Sequence, residues 1–200
     1  MKNHTYTTKY FSARRIATLA VLTAMGLIMF MVESLFPPLF LPGAKMGLSN
    51  IFSLLALFLF GPVEAFIVVI VRTVLGSLIV GNMSTLMYSL TAGVVSVLAS
   101  AVLVQFVYPK ISIIAVSVVG AMLHNLTQNV VFCLVSNTPE MFMYMPYLAL
   151  LGVLAGVIVG AAVWFMLRMI PTRTFATLLD FDLATTQPTN QPPAEQPNDK

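Results

Sequence analysis

The sequence predicts an all-α integral membrane protein, a bundle of six transmembrane helices followed by a short disordered tail. Three observations predict it. Of the 200 residues, 58% are hydrophobic and only 8% are charged, whereas a soluble domain carries about 25% charged residues. A mean hydropathy of +0.93 leaves too little polar surface to coat a water-soluble globule. The apolar residues fall into six runs separated by Gly, Pro or Asn clusters, close to the roughly 20 residues needed to cross about 30 Å of hydrocarbon as a helix.

The first run covers 16–36 and stops at Pro37-Pro38, because proline cannot continue a helix. The second, 46–60, is short and ends at Gly61-Pro62; the third, 63–80, ends at Gly81-Asn82. Tyr108-Pro109-Lys110 breaks the fourth run, 83–107, and the turn signal Ser136-Asn137-Thr138-Pro139 follows the fifth, 111–135. The sixth, 147–169, closes at Pro171. The chain therefore divides into an N-terminal segment 1–15, a membrane domain 16–169 and a tail 170–200. From about residue 185 the tail is rich in Pro, Gln and Asn, with no large apolar residue to offset the entropy of ordering.

An even number of spans puts both termini on one side. Lys2, Lys9, Arg14, Arg15, Lys110, Arg168 and Arg173 fall on that side, against Lys45 alone on the other, where Glu140 also lies. Positive residues concentrate in cytoplasmic flanks, so a multi-pass protein of the cell membrane with both termini in the cytoplasm is expected. The basic start resembles a signal peptide, but its apolar run is too long and no small-residue cleavage site follows.

Polar groups at membrane depth are costly, which makes each a functional candidate. Glu33 near the end of the first helix, Lys45 and Asn50 around the start of the second, and Asn82 with Ser84 after the third fall in or near the outer half. On the fifth helix His124 and Gln128 share one face, as do Asn125 and Asn129. Together these residues suggest a polar substrate pocket open to the outside. Each also has a plainer reading. Glu33 and Lys45 can pair with each other, the amides can serve as interhelical glue, and His124 can be a hydrogen-bonded structural histidine. Arg72, midway along the third helix, must face protein or water; it reads either as an anion-binding group or as half of an ion pair with Glu64 or Glu33.

Small residues mark close packing. Gly152, Gly156 and Gly160 stripe the sixth helix at four-residue spacing, and Ala13, Ala17, Ala20 and Ala24 line the first. Packing within the chain is favoured for the glycines; for the alanines a partner subunit is equally open. Met141, Met143 and Met145 alternate in a way that could hold a soft metal, but with 13 methionines in the chain they read better as flexible apolar filler. No metal site and no cofactor is expected. The single Cys133 excludes an intramolecular disulfide, and no basic run suggests nucleic acid.

Enzymatic readings find little support. Diphosphate chemistry needs clustered carboxylates to hold Mg²⁺, yet only seven acidic residues exist and every aspartate lies after residue 179. That also removes an intramembrane aspartyl protease. A Ser49–His124 dyad lacks the glycine that usually follows the serine, and no nucleotide-binding loop is present. Binding or passage of a ligand remains.

The stretch Pro42-Gly43-Ala44-Lys45-Met46-Gly47-Leu48-Ser49-Asn50 resembles the PGxKLGLxN signature of the Gx transporter family, often labelled heptaprenyl diphosphate synthase component I. Arg72 with Gly76-Ser77, Gly81-Asn82, Tyr88-Ser89-Leu90 with Ala92-Gly93, Gly120-Ala121 and His124-Asn125 with Gln128 continue the likeness over about 16–167. Met46 and Ser49 stand where Leu and Ala are commoner. That family is similar to the S components of energy-coupling factor transporters, six-helix proteins that bind a vitamin-sized molecule near the outer face. They dock on a transmembrane T component and cytoplasmic ATPases through small residues of the first helix. The resemblance thus implies a docking role for Ala13, Ala17, Ala20 and Ala24. It implies a substrate site around Glu33, Lys45, Asn50, Arg72, Asn82, His124 and Gln128, in a context of quinone formation or extracellular electron transfer in Gram-positive bacteria. A second reading is a non-catalytic membrane accessory subunit of a polyprenyl diphosphate synthase. A polar outer pocket favours the first reading, and an apolar pocket open sideways to lipid favours the second.

Overall fold

The computed structural model describes residues 13–35, 47–81 and 83–170. In chain order the helices are α1 (Ala13–Leu35), α2 (Asn50–Leu59), α3 (Pro62–Val80), α4 (Met83–Phe106), α5 (Ile113–Ser136) and α6 (Met145–Met169), with a 3₁₀ turn at Pro139–Tyr144 before α6. No strand occurs among the described residues. Five of the helices are long and apolar enough to cross a membrane. The second is not: it starts at Asn50 rather than 46, and its 10 residues rise only about 15 Å. Its deficit has a local cause. Residues 47–49 form a turn, with Gly47 at φ +73°, which side-chain-bearing residues rarely adopt.

The ends of the other helices follow from local chemistry. Pro62 and Pro146 sit in first turns, where a missing N–H costs nothing. Gly81 closes α3 in the left-handed conformation, and Asn137 does the same for α5. Ser112 caps α5, its Oγ accepting the Ala115 N–H at 3.1 Å. The α4–α5 connection contains a cis Tyr108–Pro109 bond.

Successive helices run up and down. At one end Arg15 of α1 donates to the Phe60 carbonyl (3.0 Å) and pairs with Glu64 of α3, its guanidinium lying over the Phe60 ring. Lys110 and Arg168 fall at that end as well. At the opposite end the Leu48 N–H donates to Glu33 Oε1 at 2.7 Å. We call these the Arg15 end and the Glu33 end.

The buried centre is α2, surrounded by α1, α3, α4 and α6; eight of its ten residues are buried. Its interior position explains why a short helix carries the densest apolar run. The closest approach is between α5 and α6. A Cβ on Gly152, Gly156 or Gly160 would lie 2.8, 2.5 or 2.7 Å from a backbone Cα of Met122, Val118 or Ile114. The glycine stripe therefore serves packing within the chain. By contrast α1 is loosely held: among its described side chains Leu22, Gly26 and Phe30 are the buried positions, and its alanines all face outward. Phe30 seats against Gly76 of α3, where a Cβ would meet the ring at 2.5 Å.

Candidate functional site

Arg72 enters the interior from the middle of α3 and is 2% exposed. Gly26 of α1 covers its aliphatic stem, with room for a Cβ only 3.2 Å from Arg72 Cδ. Its Nη2 donates to Asn50 Oδ1 on α2. Glu64, a partner the sequence allowed for Arg72, is instead committed to Arg15 at the far end of the helix, about two turns away. Glu33, the other candidate, lines the same cavity as Arg72, with Phe30, Ser49, Thr73, Ser89 and His124 around them. That cavity is about 10 Å³.

A second cavity of about 30 Å³ adjoins it, sharing Gly47 and His124. It runs deeper, between α2, α4, α5 and α6, and is lined by Asn50, Ser53, Ser96, Ser100, Ser117 and Asn125 among apolar neighbours. Ser96 donates to the Gly120 carbonyl at 2.8 Å, and a Cβ on Gly120 would lie 2.5 Å from Ser100 Oγ. The absence of a side chain at Gly120 is what lets α4 and α5 bring their hydroxyls together.

Of the residues singled out from sequence, Glu33, Asn50, Arg72 and His124 converge on these adjoining cavities. Gln128 does not line either; it is buried one turn from His124 with Nε2 unbonded. Lys45 and Asn82 lie outside the described residues, so the Glu33–Lys45 pairing does too. Asn125 and Asn129 donate to the carbonyls of Leu148 (3.3 Å) and Met141 (3.1 Å) and so tie α5 to the following segment, and Asn125 also lines the deeper cavity. Ser84 is exposed. Met141 and Met143 sit in the 3₁₀ turn, where residues two apart point in different directions.

The serines are what sequence reasoning missed. Serine inside an apolar helix is unremarkable by hydropathy, since its hydroxyl can bond to its own helix. A signal existed: Ser89, Gly93, Ser96 and Ser100 recur at spacings of four, three and four on one face of α4.

A different surface forms between α1 and α3. An apolar groove of about 550 Å³ is lined there by Ile16, Leu19, Ala20, Ala24, Ile67 and Val71 among others. Ala20 and Ala24 form part of its floor, whereas Ala13 and Ala17 are exposed beside it.

These features define a polytopic helical membrane protein with a charged, hydroxyl-rich interior and an apolar flank. Residues 22–166 match the family model of heptaprenyl diphosphate synthase component I, and the chain belongs to that family. No curated protein and no solved structure matches it.

Proposed function

We propose that the chain is a membrane binding and transport subunit, which admits a small polar molecule at the Glu33 end and holds it between α1, α3, α4 and α5, beside the turn that leads into α2. The observation that carries this reading is Arg72: a buried guanidinium, bonded to Asn50 and facing the cavity that Glu33 and His124 also line. Charge at membrane depth is retained where it handles a ligand or an ion path. It is also the role that the sequence resemblance to S components of energy-coupling factor transporters implies.

The family description and the groove between α1 and α3 favour a second reading. The chain then acts as a non-catalytic accessory subunit, presenting the groove to a partner helix of a prenyl synthase assembly. In either case we propose that it is not itself a catalyst, because the sequence has only seven acidic residues and every aspartate lies after residue 179, which leaves no carboxylate cluster in the membrane domain for a Mg²⁺-diphosphate. Purified chain supplied with Mg²⁺ and a prenyl diphosphate should show no elongation; turnover without any other subunit would refute this.

Native mass spectrometry of the gently purified protein separates the two readings. The first expects a retained small polar molecule that is lost in Asn50→Ala, with affinity lowered about tenfold for a lost buried hydrogen bond. The second expects a co-purifying synthase subunit, released by Ala24→Leu because leucine fills the groove. A preparation carrying only bilayer lipid would sink the first reading.

For orientation we place the Arg15 end in the cytoplasm, since Arg15, Lys110 and Arg168 gather there. On a Cys133→Ser background, a cysteine at 140 should react with an impermeant thiol reagent added outside intact cells, and one at 110 should not. The reverse pattern would invert the assignment.

A further inference from the structure

The interior holds more polar atoms than its own hydrogen bonds use. Arg72 Nε, Glu33 Oε2 and Ser89 Oγ are buried without a partner in the protein, and all three side chains line or adjoin the smaller cavity. Ser53 Oγ and Ser117 Oγ are likewise unpartnered and line the deeper one. These are not peripheral groups: Arg72, Ser53, Ser89 and Ser117 are 2%, 1%, 5% and 4% exposed. Leaving such atoms dry in a low-dielectric interior is costly.

The volumes match one occupant. A buried water needs roughly 10–15 Å³ and makes about three hydrogen bonds. The smaller cavity, about 10 Å³, offers a donor in Arg72 Nε and acceptors in Glu33 Oε2 and Ser89 Oγ. The deeper cavity, at about 30 Å³, has room for roughly two waters among hydroxyls that both donate and accept. Gly47 and His124 border both, and Gly47 has no side chain to divide them.

We propose that the two cavities hold an ordered string of about three waters, leading from Arg72 and Glu33 past His124 to Ser53 and Ser117. Ser117 is the fifth residue of α5 counted from the Arg15 end. The string therefore joins the Glu33 end of the bundle to within about two turns of the other end. Where a ligand enters, as in the binding reading above, its polar groups take the place of these waters; the string itself does not depend on that reading.

Hydroxyl-radical footprinting by X-ray pulses, read by mass spectrometry on the full-length protein in detergent, tests this. Radicals formed from a trapped water oxidise the side chains beside it even when bulk solvent cannot reach them. Leu54 and Leu57 line the deeper cavity, whereas Leu55 and Leu59 on the same helix do not, yet all four are 4–7% exposed. Labelling of Leu54 and Leu57 should exceed that of Leu55 and Leu59 several-fold; equal labelling overturns the proposal. Thermal melting of Ser53→Ala and Ser117→Ala gives an independent readout. In a dry cavity, deleting an unsatisfied hydroxyl raises the melting temperature. In a hydrated one the water loses a partner, and the temperature stays level or falls. A rise in both variants overturns the string.

Discussion

Replacing Gly156 with leucine should prevent α5 and α6 from closing and abolish cooperative melting of the purified protein. Alanine at the same position should already lower stability by about 1–3 kcal/mol, the usual cost of overpacking. The reason is geometric. An added Cβ would lie 2.5 Å from Val118 Cα and 3.0 Å from the Ser117 carbonyl oxygen. Backbone atoms cannot rotate aside as a flexible side chain can, so the helices must separate. In a bilayer the lost packing is not recovered by hydrophobic burial, because lipid is as apolar as the interface. Leu154→Ala, on the exposed face of the same helix, serves as control and should change stability by about 0.5 kcal/mol or less. If Gly156→Leu melts like the parent protein, the close α5–α6 contact is wrong.

Removing the charge of Arg72 should be the most disruptive polar substitution. Arg72→Met keeps much of the stem under Gly26 but withdraws the donor to Asn50 and the cation beside Glu33. Breaking a buried charge arrangement on one side typically costs about 3–5 kcal/mol, since the remaining charge is left uncompensated. Pairing the change with Glu33→Gln removes the second charge, and the double variant should regain most of the lost stability. This cycle isolates the coupling between the two sites. A double variant no more stable than Arg72→Met alone would show that Glu33 and Arg72 do not compensate each other. Ligand retention should not return with the stability, because the groups proposed to hold the ligand are gone.

Much of the fold was legible before any coordinates. Composition alone placed the chain in a membrane, since each apolar run buries its backbone polar groups within its own helix. The breaks at Pro62, Gly81 and Asn137 marked helix ends correctly because a fixed φ or a left-handed conformation is a local property. Four-residue spacing exposed the glycine stripe of α6, and the cost of polar and charged groups in lipid exposed Arg72, Glu33 and Asn50.

Other features depend on which helices meet, and no local pattern encodes that. Hydropathy could not tell that α2 begins at Asn50 and lies inside the bundle. It also could not tell that Glu64 belongs to Arg15 rather than Arg72, since Glu33 and Glu64 are both carboxylates within reach of α3 by sequence. The serine-lined cavity needs Gly120 of α5 against Ser96 and Ser100 of α4, a juxtaposition of residues some 20 positions apart. By itself the sequence determined the solvent in which this chain folds, the approximate helix limits and the polar groups too costly to be idle, because those follow from transfer energies and backbone geometry. The tertiary structure alone decided which of those groups share a cavity, because that is set by the packing of surfaces far apart in the chain.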